Sequence, residues 1–227
     1  MVVVAIDGPS GSGKSSTSRA VAEHFGWDYL DTGAMYRAAT WLGLQHGVDL
    51  ASGVPGRAEQ VLDLLATTPL TVSTDPRHPQ VRVGDTDVTA AIREPRISAA
   101  VSAVASLPEV REELIARQRA AIAAAHDGIV VEGRDITTVV APDADVRILL
   151  VADPDARVAR RAAELGSRVP GEQVADQVLR RDRDDSRVTA FTEAADGVTV
   201  IDSTDLPLPE VIAAVVDLVD RACHRRP

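Results

Sequence analysis

Short apolar runs alternate with longer amphipathic segments along most of the chain. A valine-rich run at positions 2–6 ends before a glycine, and further apolar runs follow at 129–132 and 146–151. Segments at 27–30 and 198–201 have similar length and the residue types of strands. Strands separated by helices predict a parallel sheet with helices on both faces. We therefore expect an α/β fold built on a five-stranded parallel sheet.

Most segments between these runs have the apolar spacing and the end signals of helices. Gly47 ends one such segment, and another begins with Asp153, a good helix N-cap, followed by Pro154. The predicted helices cover 14–25, 33–47, 54–68, 94–124 in two parts broken at Pro108, 153–166, an arginine-rich stretch at 171–187, and 208–222.

The pattern changes between positions 70 and 89. Short alternating strands there are separated by the stretches DPRHP and GD, which are hairpin signals. We expect a small antiparallel insertion at about 68–90, within a single domain that spans residues 1–227.

Composition and charge narrow the class of partner. With 45% hydrophobic but only 3% aromatic residues, the core must consist of Val, Ala, Leu and Ile, which suits parallel strands covered by helices.

A net charge of −10 argues against general binding to nucleic acid or to anionic membranes. The single cysteine, Cys223, excludes an intrachain disulfide and a cysteine metal cluster.

The chain also lacks the signals of membrane insertion and export. No stretch approaches the ~20 apolar residues of a membrane span. The opening MVVVAIDG lacks the basic region of a signal peptide, and its apolar run is too short for one. We therefore expect a cytoplasmic protein with neither a nucleic-acid nor a membrane partner.

A phosphate-binding motif follows the first predicted strand. Residues 8–15 read GPSGSGKS and match G-x-x-x-x-G-K-[ST] at every fixed position, with a helix predicted directly after. Glycines let the backbone N–H groups turn inward around a phosphate, and the helix N-terminus adds partial positive charge. Lys14 would reach the β- and γ-phosphates of ATP, and the Ser15 hydroxyl would bind Mg²⁺. The expected ATP-binding residues are Gly8, Pro9, Ser10, Gly11, Ser12, Gly13, Lys14, Ser15 and Ser16.

Lys14 is the only lysine in the chain, beside 23 arginines. A compact ammonium fits a tight backbone cradle better than the planar fork of a guanidinium does. The alternative, a Gly/Ser-rich turn with an incidental lysine, does not account for a strand, the motif and a helix in succession.

The remaining sequence points to a small kinase. The guanine-selecting motif of GTPases, Asn/Thr-Lys-x-Asp, is excluded because the chain has no second lysine and no asparagine. Clustered arginines would neutralise two phosphate groups at once under a closing lid. The alternatives that remain are kinases for different small acceptors, such as UMP, AMP or shikimate, and a non-catalytic nucleotide-binding module. The arginines concerned are Arg37, Arg111, Arg134, Arg157, Arg160, Arg161, Arg180, Arg181, Arg183 and Arg187.

Five stretches carry a resemblance to a known family. They are IDGPSGSGKSS, YLDTGAMYR, VREELIARQR, VVEGRDITTVVAPDADVRILL and RRDRDDSR. In this order, from residue 2 to about 220, they resemble the bacterial cytidylate kinases, the CMP/dCMP kinases among the nucleoside monophosphate kinases of P-loop type. The resemblance implies a P-loop kinase fold with a monophosphate-binding segment at 33–112, and with a helical lid and flanking helix at 154–188.

The resemblance also implies the reaction and its partners. ATP, with Mg²⁺, would phosphorylate CMP or dCMP to CDP or dCDP in pyrimidine nucleotide metabolism. Because the acceptor phosphate is already anionic, no general base is expected. Nothing in the sequence suggests an obligate dimer, and we expect a monomer.

The acceptor residues are implied position by position. Arg37, beside Tyr36, would hold the acceptor phosphate with Arg134, while Ser102 and Arg111 would contact the cytosine edge. Arg180, Asp184 and Arg187 share one predicted helix face and would bind the acceptor's phosphate and ribose. The expected CMP-binding residues are Thr32, Tyr36, Arg37, Ser102, Arg111, Arg134, Asp135, Arg180, Asp184 and Arg187.

The catalytic residues follow from the same resemblance. Arg157, Arg160 and Arg161 resemble lid arginines, at least one of which would stabilise charge on the transferring phosphoryl group. The expected catalytic residues are Lys14, Arg134, Arg157, Arg161 and Arg187.

Overall fold

The valine-rich run at the start of the chain forms an inner strand of a five-stranded sheet. A computed structural model describes residues 1–51, 53–165 and 193–224. Its strands are β1 (Val2–Asp7), β2 (Asp28–Asp31), β3 (Leu70–Val72), β4 (Val81–Val83), β5 (Thr86–Asp87), β6 (Gly128–Gly133), β7 (Val146–Val151) and β8 (Thr199–Asp202). The larger sheet has the order β2-β6-β1-β7-β8, and β1 pairs in parallel with both β6 and β7. The predicted five-stranded parallel sheet is confirmed.

Seven helices connect or cover the strands of the described residues. They are α1 (Lys14–Phe25), α2 (Thr32–Gln45), α3 (Arg57–Thr67), α4 (Pro95–Ala105), α5 (Pro108–Ala124), α6 (Pro154–Leu165) and α7 (Leu208–His224). By its internal contacts the chain divides into two compact units, one of Met1–Tyr29 with Ala125–Pro227, the other of Leu30–Ala124. None of the described helices is both long and apolar enough to cross a bilayer.

The core of the first unit is aliphatic, as the composition requires. Val4, Ala5 and Ile6 of β1 are fully buried, so both faces of this strand are covered, and the strand therefore reads as a continuous apolar run rather than an alternating one. Helix α7 buries one stripe, Val211, Val215 and Val219, spaced four residues apart, in the same cluster. The sheet and its covering helices therefore share a single core.

The second unit contains the antiparallel insertion. Strands β3, β4 and β5 form a separate sheet in that order, with Leu70 opposite Val83 and Val83 opposite Thr86. The predicted change from parallel to antiparallel pairing between residues 70 and 89 is thereby confirmed.

The predicted division of 94–124 into two helices at Pro108 is confirmed. Helix α4 ends at Ala105, and Pro108 occupies the first turn of α5, where a missing N–H costs nothing. Two short turns were not predicted: a 3₁₀ turn at Ala91–Arg93 and a π-helical turn at Ile136–Val140. Both are shorter than the span over which apolar spacing indicates a helix.

A buried carboxylate at the end of β1 holds the π-helical turn. Asp7 is 2% exposed and accepts hydrogen bonds from the backbone N–H groups of Ile136 (2.9 Å) and Thr137 (2.8 Å). The Thr137 hydroxyl donates to the same carboxylate at 2.7 Å. Burial raises the pKa of Asp7 above its ordinary value of 3.8, although the hydrogen bonds from Thr137 and Ile136 oppose the rise. Asp7 thus connects the end of β1, directly before the glycine motif, to the segment that follows β6.

The raised pKa of Asp7 predicts a pH dependence of stability. As the pH rises above 3.8, the unfolded chain loses this proton first, so the free energy of unfolding should fall until the pH passes the folded-state pKa. Asp7→Asn lacks this titration. The stability of the wild type should therefore decline relative to that of Asp7→Asn across this window, as measured by urea unfolding at a series of pH values. A difference that does not vary with pH would contradict the expected titration.

Candidate active site

The glycine motif forms a tight loop between β1 and α1. Gly8 and Gly11 have positive φ angles of +150° and +78°. A Cβ on Gly8 would lie 2.0 Å from the backbone oxygen of Leu150, and one on Gly11 would lie 2.8 Å from that of Arg157. Only glycine permits such close approach between backbones. The first two glycines of the motif are therefore required by the packing of the loop itself.

The third glycine of the motif, unlike the first two, has open space beside it. Gly13 caps the N-terminus of α1 with φ +92°, and no side chain serves as a hydrogen-bonded cap. A Cβ built on Gly13 would meet no atom within 4 Å. The first N–H groups of a helix lack intrahelical acceptors, and a helix N-terminus attracts anions. The loop and α1 together therefore form a cradle that suits a phosphate.

Lys14 begins α1 and folds back onto the loop. Its Nζ donates to the backbone oxygen of Pro9 at 2.8 Å, in a half-buried position. The ammonium is therefore held over the cradle by the loop that surrounds it.

Ser15, in the first turn of α1, contacts a buried carboxylate. Its Oγ donates to Oε2 of Glu132 at 3.0 Å. Glu132 lies in β6 and is 3% exposed, and its Oε1 accepts a hydrogen bond from the hydroxyl of Tyr29. A hydroxyl and a carboxylate provide the oxygen ligands that Mg²⁺ prefers. Neither Glu132 nor Tyr29 was assigned a role from the sequence.

The residues after β6 lie against the loop. Arg134 donates from Nη1 to the backbone oxygen of Gly8 at 3.0 Å. Asp135 is 7% exposed, and its backbone oxygen accepts from the N–H groups of Val139 and Val140 in the π-helical turn. The structure therefore brings Arg134 to the phosphate loop, to which the sequence alone did not connect it.

The arginines of α6 do not share one environment. Arg157 is 6% exposed and donates to the backbone oxygens of Ala152 (3.0 Å) and Ser10 (3.2 Å). Arg160 donates to the Ser203 hydroxyl at 3.0 Å and to the backbone oxygens of Ser203 and Thr204. Arg161 is half-buried one turn after Arg157, so these two arginines are neighbours on the surface of α6.

Ser203 links α6 to the loop, and sequence reasoning missed it. It is 1% exposed, and its hydroxyl lies 3.1 Å from the backbone oxygen of Ser12 and 3.0 Å from that of Val151. Its position directly after β8, at the carboxyl edge of a parallel sheet, is the one signal that could have indicated it.

In the second unit, Arg37 is oriented by its own neighbours. From α2 it donates through Nη1 to the Ser98 hydroxyl at 2.8 Å and to the backbone oxygen of Ile92 at 3.2 Å. Ser98 and Ser102 are one turn apart on α4, so they share a helix face. The unit therefore places the guanidinium of Arg37 beside the helix face that carries Ser102.

The remaining expected acceptor residues lie near the starts of α2 and α5, or outside the residues that the structure describes. Thr32 is buried at the first position of α2, Tyr36 is half-buried one turn later, and Arg111 is half-buried in the first turn of α5. Arg180, Asp184 and Arg187 lie outside the described residues.

Known proteins match this chain along nearly its whole length. The family model for cytidylate kinase matches residues 4–221. A cytidylate kinase of Cutibacterium acnes is 53% identical over 218 residues, covering 96% of each chain. One of Streptomyces griseus is 48% identical, covering 96% of this chain and 93% of its own. One of Corynebacterium glutamicum is 41% identical, covering 99% and 96%.

Solved structures with far lower identity also align. The shikimate kinase of Bacteroides thetaiotaomicron covers 96% of this chain and 98% of its own, at a TM-score of 0.49 and 9% identity. The protein TT1252 from Thermus thermophilus covers 100% and 98%, at a TM-score of 0.46 and 20% identity.

The family match spans both units, from β1 to α7, and includes the phosphate loop and the GRD segment. On this evidence the chain belongs to the cytidylate kinase family, a family of ATP-dependent nucleoside monophosphate kinases.

Proposed function

We propose that this chain transfers the γ-phosphoryl group of ATP to CMP or dCMP, giving ADP and CDP or dCDP in pyrimidine nucleotide metabolism. The observation that carries the proposal is the phosphate loop, where Lys14 folds over a glycine cradle at the start of α1. The relatives named cytidylate kinase, at 41–53% identity, support the choice of acceptor.

In this proposal the loop residues 8–16 bind the phosphates of ATP. The backbone N–H groups and Lys14 neutralise charge on the β- and γ-phosphates, where a compact ammonium fits the narrow cradle. Arg157 donates to the backbone oxygen of Ser10, and so it stands at the donor loop itself. With Arg161 on the same helix face, it would stabilise charge on the transferring phosphoryl group.

The residues around Ser15 fit a magnesium ion. The Ser15 hydroxyl and the Glu132 carboxylate are both oxygen ligands, already within hydrogen-bonding distance of each other. No group of three or more His, Cys, Asp or Glu side chains within the described residues is arranged to hold a metal. Mg²⁺ is commonly held by one or two protein groups together with substrate phosphates. The bound ion would reduce the negative charge on the phosphates of ATP.

The acceptor residues of the proposal are those that the family resemblance implies. Arg37 and Arg134 would hold the acceptor phosphate, and a guanidinium can grip a phosphate with two parallel hydrogen bonds. Ser102 and Arg111 would contact the cytosine edge, with Asp135 orienting the base or the arginines. Thr32 and Tyr36 would contribute local contacts to the acceptor. The residues outside the description, Arg180, Asp184 and Arg187, are proposed to bind phosphate and ribose.

Transfer in this arrangement needs positioning and charge neutralisation rather than proton transfer. The attacking oxygen of the acceptor phosphate is already anionic, so no side chain has to remove a proton. The arginines and Lys14 bring two negatively charged groups together in line and exclude water. The catalytic residues of the proposal are Lys14, Arg134, Arg157, Arg161 and Arg187.

Several wider features belong to the same proposal. Residues 33–112 would act as the monophosphate-binding segment, and residues 154–188 as the lid and its flanking helix, of one kinase domain. The chain would act as a cytoplasmic monomer without nucleic-acid or membrane partners.

A survey of acceptors tests the reaction directly. With Mg²⁺ and ATP, coupled ADP release should be fast with CMP or dCMP and slow with UMP, AMP, GMP and shikimate. A preference for one of the other acceptors would replace the proposed substrate. ATP binding without turnover on any acceptor would favour a non-catalytic nucleotide-binding module.

Removal of the only lysine tests the donor site. Lys14→Ala should lower kcat by about three orders of magnitude, because it removes a positive charge held against the phosphates. Lys14→Arg keeps the charge but not the compact shape, and it should not restore turnover. Steady-state kinetics measure both, with far-UV circular dichroism as the check on folding. Near-normal turnover in Lys14→Ala would refute the role of the loop.

Two serines near the end of α4 form a matched pair for the acceptor site. Ser102→Ala should raise KM for CMP about fivefold, the cost of one hydrogen bond of about 1 kcal/mol, and leave KM for ATP unchanged. Ser106 is exposed, and its hydroxyl donates to the backbone oxygen of Ala103 at 2.8 Å. Ser106→Ala should change neither constant. Equal effects of Ser102→Ala on both KM values would remove Ser102 from the acceptor site.

A further inference from the structure

Tyr29 is a buried tyrosine whose hydroxyl lies at the candidate metal site. It is in β2 and is 4% exposed. Its hydroxyl donates to Oε1 of Glu132, while Oε2 of the same carboxylate accepts from Ser15 Oγ at 3.0 Å. One carboxylate therefore joins a side chain of the sheet to the first turn of α1.

The chemistry of this contact is directional. A buried carboxylate must be hydrogen-bonded, because an uncompensated charge is costly away from water. A tyrosine hydroxyl carries one O–H, and in this contact it donates that hydrogen to the carboxylate. The terminal torsion of a glutamate side chain is soft. A donor fixed on one oxygen therefore sets the direction in which the other oxygen points.

We propose that Tyr29 is a positioning residue for the divalent cation that accompanies ATP. It holds Glu132 in the rotamer that presents Oε2 to the Ser15 hydroxyl, and so prepares these two oxygens for the cation. Residues that hydrogen-bond to a metal ligand and orient it usually affect metal affinity strongly, although they do not touch the metal. The inference rests on the proposed function, because it takes the Ser15 and Glu132 pair as the cation site of an ATP-dependent kinase.

Tyr29→Phe removes one oxygen atom and keeps the ring that packs in the core. Mn²⁺ serves as the probe, and its binding to the protein with a non-hydrolysable ATP analogue is measured by electron paramagnetic resonance. We expect the Kd for Mn²⁺ to rise about tenfold, at the low end of what loss of an orienting partner costs. The concentration of Mg²⁺ that gives half-maximal turnover should rise in parallel, while KM for CMP stays unchanged.

The other tyrosine of the chain provides the control. Tyr36→Phe makes the same chemical change in α2 and should leave the Kd for Mn²⁺ unchanged. A lower free energy of unfolding for Tyr29→Phe, together with wild-type Mn²⁺ affinity, would mean that the hydroxyl only stabilises the fold, and it would overturn the inference.

A double-mutant cycle keeps the test decisive. Glu132→Gln should weaken Mn²⁺ binding on its own, and adding Tyr29→Phe to it should weaken binding little further, because the hydroxyl acts through the carboxylate. Additive effects would overturn the inference.

The outcomes for Tyr29 and for the proposed function can be told apart. Wild-type protein that binds Mn²⁺ with the ATP analogue but phosphorylates no acceptor would overturn the proposed function, while the role of Tyr29 would still be decided by the binding data. Full activity on CMP with unaltered Mn²⁺ affinity in Tyr29→Phe would overturn the role of Tyr29 alone.

Discussion

The contact of the phosphate loop with two neighbouring backbones is the constraint on which the site depends. Gly8 approaches the carbonyl of Leu150 at the end of β7, and Gly11 approaches that of Arg157 in α6, each too closely for a Cβ. The loop is thus fixed at the carboxyl edge of the sheet, where β6 also ends and Arg134 follows it. Its path then determines where α1 begins, and with it the positions of Lys14 and Ser15.

Local features of the chain were predictable because their causes are local. The start of α1 at Lys14 follows from a glycine in the left-handed region, and the end at Phe25 from Gly26 in the same conformation. The continuous apolar runs of β1, β6 and β7 indicated parallel strands because such strands are buried on both faces. The hairpin signals between residues 70 and 89 likewise indicated the separate antiparallel sheet.

Long-range partners were not predictable from one sequence. Asp7 and Thr137 are 130 residues apart, Tyr29 and Glu132 are 103 apart, and Ser203 and Ser12 are 191 apart. Hydrophobic periodicity gives the type of an element but not which side chains meet across it. The arginines of α6 illustrate the same limit, because Arg157 and Arg160 look alike in sequence, yet they bind different carbonyl groups.

The hydrogen bonds of Arg37 bear on the thermodynamics of ligand binding. An arginine side chain has about 2 kcal/mol of rotamer entropy to lose when it is fixed in one geometry. In this chain the Ser98 hydroxyl and the Ile92 carbonyl restrict the guanidinium as the unit folds. If Arg37 holds the acceptor phosphate as proposed, this entropy is lost in folding rather than on binding, which is the effect of preorganisation. In that proposal, a substitution of Ser98 would weaken the affinity for the acceptor although Ser98 itself does not touch it.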